Sequence, residues 1–329
     1  MVYIFKELGL EELSRNFDAS QNGLNVANPF IHPGWQSVWQ KCFSPSDRQI
    51  CGLVTSETET IGLIALRINN GVARFIADGS VFDYLDFMVK PGHQLGYFEL
   101  LMKLLKQKQV EILELESLTS RSEAYNYLLP MAKEKGFQII CEQADVSPLL
   151  DLPADFDKYM SMLEPHQRHE LKRKLRRLDE ALTPRLEINA NPESVEILLE
   201  QMEQSHPEKA LFLSPEMRCY FRQLAHWLAG QGYLRLVFLK TADTTLASLF
   251  CFDYNNIRYL YNSGYRPEYS HLSVGVLSKM LAIKDAIEKG YDAFDFLRGE
   301  EKYKFHLGGK SQPVYKCQIN LNNQVQTVG

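Results

Sequence analysis

Between Gly290 and Gly308 the chain reads GYDAFDFLRGEEKYKFHLG, which gathers carboxylates, cations and a phenol within twenty residues. Asp292 to Leu297 alternates polar and apolar residues, the period of a half-buried strand, and Arg298-Gly299 breaks that pattern. Asp295 is therefore expected within the strand, with Arg298, Glu300, Glu301, Tyr303 and Lys304 just beyond its carboxyl end. Ligands bind at that end in open α/β sheets. The same residues also fit a solvated turn, with Asp295 and Arg298 paired internally and Tyr303 packed.

A second candidate precedes it. Ile257 to Gly264 reads as a strand and Val274 to Glu288 as a helix closed by Lys289-Gly290, so Ser270-His-Leu-Ser-Val-Gly-Val-Leu277 forms a strand-to-helix junction. Its first-turn amides can face a phosphate at the positive helix end, although Gly275 also suits close packing of helix on sheet. A third is the helix opened by Pro165, where six Lys and Arg residues between 168 and 177 surround the stripe Leu171, Leu175 and Leu178. It reads either as a solvated amphipathic helix or as the binder of an anion: a phosphate-bearing substrate, a cofactor or RNA.

The elements that carry these candidates fall into two halves. Gln49 to Val54, Thr60 to Ile68 and Val72 to Ala77 form an expected antiparallel meander, followed by a helix over Tyr97 to Lys106 and a strand over Val110 to Leu115. Tyr233 to Leu239, Thr245 to Phe252 and Ile257 to Gly264 form another, again followed by a helix and a strand. The shared plan implies an internal duplication, with domains at 1–152 and 153–329. At 329 residues the chain has length for two cores, and 45% hydrophobic with 23% charged residues describes a globular protein. A net charge of -5 argues against a general DNA or membrane binder. Six scattered cysteines without metal-ligand spacing suggest reduced thiols and no metal, and the acidic N-terminus suggests a cytoplasmic protein.

Asp295-Phe-Leu-Arg-Gly-Glu300 followed by Tyr303-Lys304 is similar to the Asp-Phe-x-x-Gly-Asp/Glu-x-x-Tyr-Lys pattern of CelD-like acetyltransferases, a branch of the GCN5-related N-acetyltransferase (GNAT) superfamily related to the Fem-type aminoacyl transferases. Trp35 and Trp39, the basic helix and Ser273 to Leu277 add to the resemblance, which spans nearly the whole chain. It implies an α/β fold of two tandem GNAT-like domains with mixed, mainly antiparallel sheets. It also implies transfer of an acetyl or longer acyl group from acyl-CoA to an amine or hydroxyl acceptor. Asp295 and Glu300 would then be candidate bases and Tyr303 the acid for the leaving thiolate. Tyr261, Asn262, Ser273, Val274, Gly275 and Val276 would hold the donor, and Arg298, Lys304 and Trp35 the substrate. The usual Arg/Gln-x-x-Gly-x-Gly/Ala loop is reduced here to Leu272-Ser-Val-Gly-Val. Fem-type relatives lack that loop too and take an aminoacyl-tRNA donor. A non-catalytic binding module on the same fold is the third reading.

Overall fold

The computed structural model describes residues 1–17, 23, 24, 26–57, 59–77 and 79–324. These form an α/β protein of two compact units, Met1–Asp145 with Pro313–Gly329, and Val146–Gln312. The sequence-based extent of 153–329 for the second domain differs from this unit at both ends.

The first unit begins with Tyr3–Glu7 (β1), Leu10–Asn16 (α1) and Pro33–Phe43 (α2). His32 caps α2 by accepting from the Gly34 N–H at 2.9 Å, which gives this histidine a structural role. The meander follows as Arg48–Ser56 (β2), Glu59–Asn69 (β3) and Val72–Phe75 (β4), with Met88–Val89 (β5) paired to β3. Gln94–Gln107 (α3) then leads to Ile112–Thr119 (β6), parallel to β4, and Leu129–Glu134 (α4) to Phe137–Asp151 (β7), whose last residues enter the second unit. Trp35 is fully buried in this unit's core, with its ring 4.6 Å from that of Phe30 and 6.2 Å from that of Phe82. That placement suits core packing and leaves no face for a substrate.

The second unit continues with Phe156–Met162 (α5) and Pro165–Leu182 (α6), then Arg185–Asn189 (β8), Val195–Ser205 (α7), Pro207–Phe212 (α8) and Pro215–Gly230 (α9). Short polar caps start α5 and α9: Asp155 accepts from the Lys158 N–H and Ser214 from the Met217 N–H, each satisfying a first-turn donor. Leu234–Lys240 (β9), Thr245–Tyr254 (β10) and Ile257–Tyr265 (β11) form the antiparallel meander. Val274–Glu288 (α10), Ala293–Asp295 (β12) and Lys302–His306 (α11) complete the unit. Within it the strand order is β7-β12-β11-β10-β9-β8. Its core lies between this sheet and α10, with Leu277, Met280, Ile283 and Ala286 fully enclosed.

Lys310–Gln324 (β13) ends the described chain and pairs antiparallel with β6 from Val314–Thr119 to Asn320–Ile112, within the first unit. There Cys317 is bonded to Cys141, 176 residues away in sequence. This corrects the expectation of six reduced thiols, since the pairing arises from strand placement that no local spacing reveals. Cys51 and Cys251 are buried free thiols. No helix among the described residues is long and apolar enough to cross a membrane.

Candidate active site

A cleft opens in the second unit where two parallel strands part. β11 and β12 pair through Ile257–Ala293, Arg258–Phe294 and Tyr259–Asp295; β12 then ends, while β11 runs on to Tyr265. The expected strand from Asp292 to Leu297 is thus shortened, because the chain turns out of the sheet. Leu297 takes a left-handed φ of 59° and donates its N–H to Asp295 Oδ1 at 2.8 Å, and Gly299 follows at φ 116°. A non-glycine residue in that region persists only when its surroundings hold it there. The Lys304 ammonium supplies the hold: it donates to the Leu297 carbonyl at 3.0 Å and to the Arg298 carbonyl, and pairs with Glu301 at 2.9 Å. A side chain on Gly299 would lie 2.3 Å from Glu301 Oε2.

The cleft beside this turn has a volume of about 470 Å³. Ser263 and Tyr265 of β11 form one wall, and Ser273, Gly275, Val276 and Lys279 at the start of α10 form another. His206 and Lys209 at α8 and Glu301 and Tyr303 at α11 close it. The Val276 and Leu277 N–H groups donate to the Ser273 carbonyl, which leaves Val274 and Gly275 as the first-turn amides outside that bonding. Gly275 also has a packing reason, since a Cβ there would lie 3.2 Å from the Tyr265 ring.

The electrostatics are set by two lysines that sequence reading did not single out. Lys279 is only 6% exposed; its ammonium donates to the Gly275 carbonyl at 2.8 Å and stands 4.9 Å from the centre of the Tyr303 ring. Burial, followed by the charge of Lys209, brings its pKa down to about 7. Lys209 donates to the Ser263 carbonyl and to Asn262 Oδ1, and burial brings its pKa down to about 8. Tyr303 is shifted the other way: burial, then the neighbouring Glu301 carboxylate, raises its pKa well above the ordinary value and keeps the hydroxyl protonated.

Of the residues singled out from the sequence, Tyr303, Ser273, Gly275 and Val276 line this cleft, Val274 is buried beneath it, and Asn262 anchors Lys209. Tyr261 is the extra residue at a bulge, where the register passes from Phe250–Asn262 to Cys251–Leu260. Its hydroxyl meets that of Tyr220 at 3.0 Å rather than the cleft. Asp295 is buried and accepts from the Leu297 N–H and the Ser147 hydroxyl, Lys304 has its three donors committed to the turn, Glu300 is exposed, and Arg298 is partly buried outside the lining. Lys279 did leave a signal: it interrupts the stripe Gly275, Ala282 and Ala286 of an otherwise apolar face. Lys209 left none, because only tertiary structure brings it to β11.

On α6, Arg173 and Lys174 pair with Glu170, Arg176 with Glu180, Arg177 donates to the His271 carbonyl and Arg168 to the Ser161 carbonyl. Five of the six cations are thereby engaged, as in a solvated amphipathic helix. In the first unit, the Pro91-Gly92 turn spends its Gly92 N–H on Gln94 Oε1, so it makes no open anion cradle.

Residues 165–305 match the family model described as acetyltransferase (GNAT) domain. No curated protein sequence matches the chain. Among solved structures, FemX superposes with a TM-score of 0.63 at 11% identity, covering 96% of this chain and 97% of that one. L-PGS from Bacillus licheniformis gives 0.54 at 10% identity over 87% and 91%. A tandem GNAT protein from the clavulanic acid biosynthesis pathway gives 0.50 at 13% identity over 97% and 99%. At such identities the likeness is one of fold, and it extends over both halves of the chain. The parted strands and the helix that starts beside them both lie within residues 165–305, the segment that matches the acetyltransferase (GNAT) domain model.

Proposed function

We propose that the second unit transfers an acyl group from acyl-CoA to an amine, with the donor thioester lying in the cleft between β11 and α10. The observation that carries this reading is the parting of β11 from β12 beyond Tyr259, with the first amides of α10 at the opening. A pyrophosphate at those amides gains the positive end of a fifteen-residue helix. The acceptor nitrogen attacks the thioester carbonyl, the C–N bond forms, and the C–S bond breaks. Tyr303, kept protonated, gives its proton to the departing sulfur and regains one from the acylated nitrogen, so the thiol and the amide leave neutral. Asp295 and Lys304 act at one remove, by holding the turn that delivers Glu301 and Tyr303.

FemX offers a second reading, an aminoacyl ester donor, favoured by its higher TM-score than that of the tandem GNAT protein. On α6, Arg173, Lys174 and Arg176 are paired with carboxylates, which leaves that reading Arg168, Lys172 and Arg177 as cations without a carboxylate partner among the described residues. Calorimetry with acetyl-CoA, a long-chain acyl-CoA and charged tRNA decides between them. Acyl-CoA binding with transfer to an amine that falls about 100-fold in Tyr303→Phe supports the proposal. Binding of charged tRNA alone, or undiminished transfer by the folded variant, overturns it.

A further inference from the structure

Lys209 and Lys279 come from different helices, yet their ammonium groups enter the same cleft. Glu301 is the carboxylate that lines it, and Glu301 is already paired with Lys304. The cleft therefore holds more positive than negative charge, in a place where one lysine is 6% exposed. Burying an ammonium costs several kcal/mol unless an anion meets it. Each lysine has three N–H donors. Lys279 spends one on the Gly275 carbonyl, and Lys209 spends two, on the Ser263 carbonyl and Asn262. Three donors thus remain to face one small acceptor group.

We infer that Lys209 and Lys279 form a receptor for the carboxylate of the acyl acceptor, so that the amine acylated here belongs to an amino acid or the end of a peptide. The inference rests on reading the cleft as the transfer site. A carboxylate fits better than the donor's phosphates for a positional reason. The free amides of α10 belong to its first turn, whereas the Lys279 ammonium, which reaches back to the Gly275 carbonyl, also stands 4.9 Å from the centre of the Tyr303 ring. A group bound there sits beside the proton donor, where the acceptor belongs. The groups that face Lys279 from neighbouring elements are Lys209 on α8, Cys251 on β10, and Glu301, Tyr303 and Lys304 around α11. Only Glu301 among them carries negative charge near neutral pH, so a bound carboxylate also favours the protonated form of Lys279.

The test is a titration without turnover. N-Acetylglycine, an N-acylated amino acid, is compared with N-acetylglycinamide, which differs by the missing charge. The acid is expected to bind about tenfold tighter or more, the scale of a charge-assisted hydrogen bond over a neutral one. Lys279→Met and, separately, Lys209→Met should bring the two ligands to about equal affinity while acetyl-CoA binding is retained. Two variants on different helices guard against one that fails to fold. Equal binding of acid and amide by the unaltered protein overturns the inference, as does a preference that survives in both variants. Loss of acetyl-CoA affinity with the acid preference intact also overturns it, by assigning the lysines to the donor's phosphates. A chain that prefers the acid but transfers no acyl group to any amine would refute the transferase reading and leave carboxylate binding standing.

Discussion

At the start of α3 in the first unit, Gly96 faces the ring of Tyr3 so closely that a Cβ would lie 2.2 Å from it; at the start of α10 in the second, Gly275 faces Tyr265 at 3.2 Å across from an open cleft. Both helices follow a meander and lead into a strand parallel to the meander's last. The difference lies in what fills the junction. In the first unit, β4 stops two residues after its last pair with β6, at Phe75, and an aromatic side chain of β1 occupies the helix start. In the second, β11 outruns β12 and the space is left to solvent, lined by lysines. A helix terminus becomes a ligand site only where the chain leaves it unfilled.

Several substitutions probe that contrast. The largest effect is expected from Gly264→Val on β11, because a Cβ there would lie 2.6 Å from the Met202 amide nitrogen and 2.7 Å from the Gln201 carbonyl carbon. Backbone cannot swing aside, so α7 must lift from the sheet at a cost of about 3 kcal/mol or more, read from the denaturant midpoint. An unchanged midpoint would mean that α7 does not fix the cleft wall.

Lys279→Met should come next, with a stabilising sign. Lys279 is held near pKa 7 in the folded chain against an ordinary 10.5, so the unfolded chain binds more protons between those values. Stability of the unaltered protein should then rise with pH across that window, and burial of the charge costs on the order of a few kcal/mol at pH 7 and below. The methionine variant should be more stable at pH 7 and show a flatter profile up to pH 10, with Lys209 supplying the slope that remains. Equal profiles would show that Lys279 carries no penalty.

In the first unit, Gly96→Ala meets ring atoms of a side chain on a short edge strand, which can move. A loss of about 1 kcal/mol is expected, largely restored in the double variant with Tyr3→Ala. The smallest effect belongs to Arg176→Gln on α6, whose exposed partner Glu180 lies 3.7 Å away. Its stability should change by no more than is expected of a surface ion pair, about 0.5 kcal/mol, as read from the denaturant midpoint.

The alternation of apolar residues made the two meanders legible, and Lys289-Gly290 closed α10 at its observed end. Turns and short helices were harder. Nothing in Asp295-Phe-Leu-Arg announces that Leu297 takes a left-handed conformation, because the cause is Lys304, seven residues on and buried by the fold. The Pro207–Phe212 helix lacks a full apolar period, and its lysine matters only through β11. The carboxylates beyond Asp292 looked chemical from their types, yet Asp295 and Lys304 shape the turn while Glu301 and Tyr303 reach the cleft. Side-chain type was visible in the sequence; direction was not, since it depends on which strand ends first.

The placement of β13 bears on how the molecule is made. Its pairing with β6 joins residues nearly two hundred positions apart, so the first unit, although synthesised first, lacks one of its strands until residues 313–324 have left the ribosome. The second unit holds all its strands by residue 295 and can close beforehand. Maturation would then run against the order of synthesis, with the amino-terminal unit waiting on the carboxyl-terminal strand, and a chain cut short before Pro313 would lose the integrity of the unit made earliest.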